Sequence, residues 1–224
     1  MLSRFATALT AILLLALPAA ARFGDDQPTP LSAEELYADR AFSEASRLSA
    51  GVGGDVITKD AIFNLERAQE RFDTARIYYH DLCENRELPT DQWARNCYKA
   101  ADMYRRGLGM AQDYRLARQF YTDACLDGEH VDSCLQQAHL SHVGRDTRDA
   151  PQDYLLARQL YRRACSLKSP AGCAGLGNML YRGQGGEQDR TRGSRLLQEA
   201  CAEGYDWSCE RLRVFGLPET LEKF

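Results

Sequence analysis

The sequence predicts an all-α solenoid: a stack of antiparallel helix pairs, each pair tied by a disulfide. Three observations predict it. Four gap-free segments share one helical pattern, and each ends in cysteine. Three further segments begin in cysteine and close on glycine ten residues later. All the variation in repeat length falls between these constant frames.

The first-helix segments are RFDTARIYYHDLC (71–83), DYRLARQFYTDAC (113–125), DYLLARQLYRRAC (153–165) and DRTRGSRLLQEAC (189–201). Three open on Asp, a good N-cap residue. Counting back from the cysteine, positions eight, five, four and one are apolar or small in nearly every copy. Ala117, Phe120, Tyr121 and Ala124 hold them in the second copy; Ala157, Leu160, Tyr161 and Ala164 hold them in the third. That spacing puts them on one buried helical face, so Tyr79, Tyr121 and Tyr161 read as core residues.

The second-helix segments are CYKAADMYRRG (97–107), CLQQAHLSHVG (134–144) and CAGLGNMLYRG (173–183), with a short copy, CERLRVFG (209–216), that stops at GLP. The closing glycines suit the position just past a helix end. Ala101, Ala138 and Gly177, four residues past the cysteine, let a neighbouring helix approach closely. Between Cys165 and Cys173, Ser-Pro-Ala-Gly (169–172) reads as the turn. First cysteines follow one another at 42, 40 and 36 residues, and insertions that spare both frames mark the frames as helices and the rest as loops. One helix pair cannot bury both its apolar faces, whereas stacked pairs can.

The domain reading follows. Residues 1–21 resemble a secretory signal peptide: Arg4, then an apolar run over Ala6–Leu17, then Ala19–Ala21, with cleavage after Ala21. Residues 22–32 read as a flexible lead. Residues 33–70 read as a divergent helical cap, with Ser32 as N-cap to a helix over 33–49, a break at GVGG, and one long helix over 60–84. Residues 71–216 form the array and 217–224 a tail. The formal net charge of −4 and the lack of any basic run argue against nucleic acid or a membrane surface as partner.

Eight cysteines behind a signal segment point to disulfides in an oxidising compartment. Each pair has one cysteine ending its first helix and one starting its second, where antiparallel neighbours meet. This predicts Cys83–Cys97, Cys125–Cys134, Cys165–Cys173 and Cys201–Cys209, each closing a short loop. Structural zinc sites and thioredoxin-like redox sites need closer C-x₂₋₄-C or C-x-x-C spacings, which do not occur.

The pattern A-x-x-hydrophobic-Y-x-x-A-C, then C-x-x-x-small, then Y-R-x-G or Y-R-G, then a D-Y start, resembles Sel1-like repeats, relatives of the tetratricopeptide repeat. The paired cysteines resemble the cysteine-rich branch that includes the Helicobacter cysteine-rich proteins. The resemblance spans 71–216 and is closest at LGNMLYRGQGGEQD (176–189). It implies a right-handed superhelix whose first helices line the concave face and which binds proteins or peptides. It also implies an alternative, a penicillin-binding or β-lactamase-type hydrolase, since such labels occur in the family; a mitochondrial relative is tied to haem.

A serine β-lactamase needs S-x-x-K, and no serine here has Lys three residues on. His139 and His142 lie one turn apart and could bind a metal only if carboxylates joined them; a solvated or packed face is the simpler reading. Paired acids such as Glu34 and Glu35 read as helix N-terminal charges. No catalytic residue, metal or cofactor is therefore expected. Arg76, Arg118 and Arg158 recur seven residues before the first cysteine, and Arg162 follows four residues after Arg158. Stacking would align them into a basic row suited to carboxylates or acidic peptides. An ordinary hydrated flank is the competing reading. The expectation is an exported monomeric scaffold that binds a protein or peptide, an acidic one where this row makes the contact.

Overall fold

The computed structural model describes residues 29–50, 59–144 and 152–220. The described residues form helices and connecting turns: α1 (Ala33–Ala50), α2 (Lys59–Glu84), α3 (Thr90–Arg106), α4 (Tyr114–Leu126), α5 (Val131–Val143), α6 (Tyr154–Ser166), α7 (Pro170–Arg182), α8 (Arg190–Ala202) and α9 (Asp206–Phe215). The expected leader, most of the lead, the GVGG break and residues 221–224 lie outside the described residues. Each helix packs against the next in chain order, giving stacked antiparallel pairs with no strand among the described residues.

Local chemistry sets the helix starts. Asp113, Asp153 and Asp189 each accept the N–H three residues on, from Leu116, Leu156 and Arg192, at 2.9 Å. Ser32 does the same for Glu35 at 3.1 Å. The first copy has no cap at Arg71, because α2 runs unbroken through that position. Second helices begin before their cysteines. Ser169 is the N-cap of α7 and Pro170 its first residue, so Pro-Ala-Gly is the first helical turn and the connection is only Leu167–Ser169. Proline is tolerated there because its missing N–H would have no intrahelical partner. Gly107 and Gly183 close α3 and α7 in the left-handed region, at φ 68° and 71°.

One residue does two jobs in two of the short connections. The N–H of Ser169 returns to Ala164 O at 3.1 Å, closing α6, while its hydroxyl accepts from Gly172 to open α7. His130 closes α4 onto Ala124 O at 2.9 Å, and its Nδ1 accepts the Ser133 N–H. Beside these turns lie four disulfides: Cys83–Cys97, Cys125–Cys134, Cys165–Cys173 and Cys201–Cys209, with Cα separations of 4.4 to 4.9 Å. No cysteine is left free. This usage is the mark of an oxidising, extracytoplasmic compartment. No described helix is long and apolar enough to cross a membrane.

The core runs along the stack. Around α1–α4 it is built from rings: Phe72, Tyr79, Trp93, Tyr104, Phe120 and Tyr121 are all buried. Later it is aliphatic and small, with Leu160, Ala164, Ala174, Leu197, Ala200 and Leu212. Burying one large apolar side chain contributes about 1.5–3 kcal/mol. Where α7 meets α8 the backbones come close. A methyl on Gly193 would stand 2.6 Å from Tyr181 N and 2.7 Å from Gly177 O. Alanines Ala117 and Ala157, fully buried, hold the position of Gly193 in earlier copies.

The cap is held by charge. Glu35 on α1 is 0% exposed; its carboxylate accepts from Arg95 Nε at 2.8 Å, Arg95 Nη2 at 3.3 Å and Lys99 Nζ at 3.2 Å. Lys99 also reaches Asp39 Oδ1 at 2.7 Å, and the Tyr79 hydroxyl donates to Asp39. Thr29 is tied to α3 by its hydroxyl and N–H, both donated to Asp91. Glu35 is therefore an internal counter-ion for two cations, a role beyond that of a helix N-terminal charge.

Candidate functional site

A second helix repeats every 3.6 residues, so positions two, five and eight after its cysteine share one broad face. In α3 these are Lys99, Asp102 and Arg105; in α5, Gln136, His139 and His142; in α7, Gly175, Asn178 and Tyr181. The three sets form a register along the stack.

On α3 the register is tied up in ion pairs, though Arg105 also borders the groove that opens on α5 and α7. Lys99 is bound by Glu35 and Asp39 of α1, and Asp102 pairs with Arg105 and with Arg106, the latter at 3.2 Å. Only a small bay of about 210 Å³ remains, between Asp39, Phe42, Tyr79 and α3. On α5 and α7 the register opens into a groove of about 680 Å³. Its polar lining is Arg105, Gln136, His139, His142 and Asn178. Leu135, Val143 and Met179 add apolar surface, and Tyr161, Tyr205 and Trp207 add rings. Tyr181 at the far end is covered by Phe215, with ring centroids 4.2 Å apart.

Individual positions explain the shape. Gly175 gives the Tyr161 ring its seat, since a methyl there would lie 2.5 Å from Cδ1. Burial, with the neighbouring Tyr205 adding, pushes the Tyr161 phenol up to about 12. It therefore stays a neutral hydroxyl at ordinary pH. His142 Nε2 sits 3.2 Å from Gln184 Oε1, and its ring lies against Tyr154. Asn178 is 7% exposed, and its Oδ1 has no hydrogen-bond partner. The site thus offers ring faces, amides and nitrogen donors, an arrangement suited to gripping an extended chain.

The structure places the first-helix arginines elsewhere; none of the four lines the groove. Arg76 pairs with Asp73 and reaches the Tyr104 hydroxyl at 3.3 Å. Arg158, 9% exposed, donates to the main-chain oxygens of Gln184 at 3.5 Å and Glu187 at 3.0 Å, bracing the connection after α7. Arg118 is half-buried and Arg162 exposed. Tyr161, expected in the core, is only half-buried and faces the groove, while Tyr79 and Tyr121 are buried. His139 and His142 come together at the groove. Arg105, Asn178, Tyr205 and Trp207 went unnoticed in the sequence. The signal for Arg105 and Asn178 was the second-helix register; Tyr205 and Trp207 begin α9, where the copy is too short to align. Among the described residues Cys201, Cys209 and Glu219 have metal-like spacing, but both sulfurs are held in a disulfide.

The Sel1 repeat family matches residues 97–129, 139–169 and 170–205. Solved structures with a similar fold include a Sel1 repeat protein from Oxalobacter formigenes, 22% identical over 60% of this chain and 96% of that one, with a TM-score of 0.49. Helicobacter pylori cysteine rich protein B is 22% identical over 64% of this chain and 96% of that one, with a TM-score of 0.46. A protective antigen of uropathogenic Escherichia coli displaying an SLR fold is 23% identical over 80% of this chain and 41% of that one, with a TM-score of 0.48. No curated protein matches the chain.

Proposed function

We propose, from a chain that carries Sel1 repeats over residues 97–129, 139–169 and 170–205, that it is an exported interaction scaffold holding a protein or peptide segment in the groove of its second helices. Residues 1–21 direct its export, residues 33–70 cap the array, and the four disulfides keep it rigid outside the cytoplasm. The observation that carries this reading is the contrast along one register. On α3 its three positions are taken up by ion pairs, with Arg105 alone also reaching the groove, whereas all three on α5 and the first two on α7 line it. The Tyr161 ring seated on Gly175 and the disulfide-tied helices fix the groove's shape before any ligand arrives, so little ordering cost attends binding.

Site-specific photo-crosslinking tests it. A photoreactive residue at Gln136, in the groove, is expected to capture a protein partner in cells. One at Leu155, 61% exposed on α6 and outside the groove, is not. The paired variant Arg118→Glu/Arg162→Glu is expected to leave the Gln136 adduct intact. Adducts from Leu155 alone, or loss of the Gln136 adduct in the arginine variant, would move the ligand surface to the first helices.

A further inference from the structure

We propose that this groove selects segments carrying a carboxylate next to an aromatic or large apolar side chain; the inference rests on the groove reading above and adds the chemistry of its ligand. The protein as a whole is acidic, with a formal charge of −4. Its groove lining carries no acid of its own, whereas it includes Arg105, His139 and His142. Arg105 shares its charge with Asp102, whose carboxylate lines the neighbouring bay instead. The two histidines stand one turn apart on α5, so one ligand carboxylate can reach both. His142 already meets Gln184 Oε1 through Nε2 at 3.2 Å, so a ligand carboxylate at that ring displaces the amide or binds the protonated imidazole, and hydrogen bonds to a carboxylate are the strong kind.

The rest of the lining sets what accompanies that carboxylate. Trp207, 37% exposed with Arg211 against its ring, lines the groove together with Tyr205 and Tyr161. Leu135, Val143 and Met179 line the same space. Asn178, more than nine-tenths buried with an unpaired Oδ1, places an amide in the groove wall. Charge complementarity thus selects acid, and ring area selects an apolar neighbour.

A displayed library of random linear twelve-residue peptides, panned on the oxidised full-length protein, tests this. The peptides recovered are expected to pair Asp or Glu with Phe, Trp, Leu or Met. Replacing their acids by amides should weaken binding at least tenfold, and Trp207→Ala at least fivefold. His139→Glu/His142→Glu should reject these peptides and recover ones bearing Lys or Arg. The milder His139→Gln/His142→Gln, checked for helix content by circular dichroism, should lose most of the acid preference if charge inversion disturbs folding. Peptides without acid enrichment, an empty selection, or affinities unmoved by either histidine variant would overturn the inference. A partner segment crosslinked at Gln136 that lacks acidic residues would sink the acid preference while leaving the scaffold reading intact.

Discussion

The second-helix register is built twice in this molecule, with opposite outcomes. Around α3 it carries both signs of charge, and α1 lies over it. Lys99 meets Glu35 and Asp39, and Asp102 meets Arg105. Around α5 and α7 it carries imidazole, amide and glycine, and nothing in the described residues covers the groove. The cores differ in parallel. Every buried ring belongs to α2, α3 or α4, while the buried apolar side chains of the later pairs are aliphatic, small or methionine. An aromatic ring buries about 150–250 Å², so the first half holds itself by area. The second half holds itself by close backbone approach and by its disulfides. The same repeat therefore makes an end tied up in ion pairs and an end with an open groove, according to which side chains occupy three positions.

The strongest way to break this comparison is to remove bridges from the second half. Each of its loops spans 8 residues, against 14 for Cys83–Cys97. Loop entropy makes each of these bridges worth about 2.5–3 kcal/mol, almost independently of position. The consequences should nonetheless be local. Cys165→Ala/Cys173→Ala together with Cys201→Ala/Cys209→Ala is expected to strip hydrogen-exchange protection from α7–α9 while α2–α4 retain theirs. Equal loss in both halves would show that the ring-rich core confers no independence.

Next in size is the glycine contact. Gly193→Ala should cost about 2 kcal/mol in denaturant unfolding, since its methyl would press on main chain at 2.6 and 2.7 Å rather than on a movable side chain. A cost under about 0.5 kcal/mol would mean that α7 and α8 separate easily, and that alanine, as at Ala117 and Ala157, would serve equally well.

The smallest effect sharpens the border between the halves. Burial, with Arg95's charge adding and Asp132 opposing, holds the His130 imidazole below its ordinary value. The folded protein thus disfavours the protonated form. His130 contributes stability that is present above the ordinary imidazole range and lost as pH falls through it. Melting temperature should drop between pH 7.5 and pH 5, and the drop should shrink in His130→Asn, where an amide oxygen caps α5 without titrating. Parallel curves for the two proteins would remove His130 as the cause.

The helices were legible because their signals are local. Asp113, Asp153 and Asp189 announce their caps, and apolar residues at fixed distances from each cysteine announce a face. The start of α7 was misread because Ser-Pro-Ala-Gly suits a turn by composition, while Pro170 equally suits a first helical residue; only the Ser169 cap distinguishes them. The role of Glu35 was hidden because its partners Arg95 and Lys99 lie 60 and 64 residues away. The groove was half legible. His139 and His142 drew notice, but the first-helix arginines drew more, since an aligned basic row reads as a surface whether or not its members are spent, as Arg158 is, on carbonyls of their own chain.

Every sulfur–sulfur link here joins residues 8, 9 or 14 positions apart, and none joins one helix pair to another. Heredity can exploit that locality. A pair duplicated or deleted as a block carries both of its thiols with it, so no orphan is left to mispair with a survivor. Length becomes an integer that descent can change one step at a time, and a longer reading surface needs no rewiring of the older bridges.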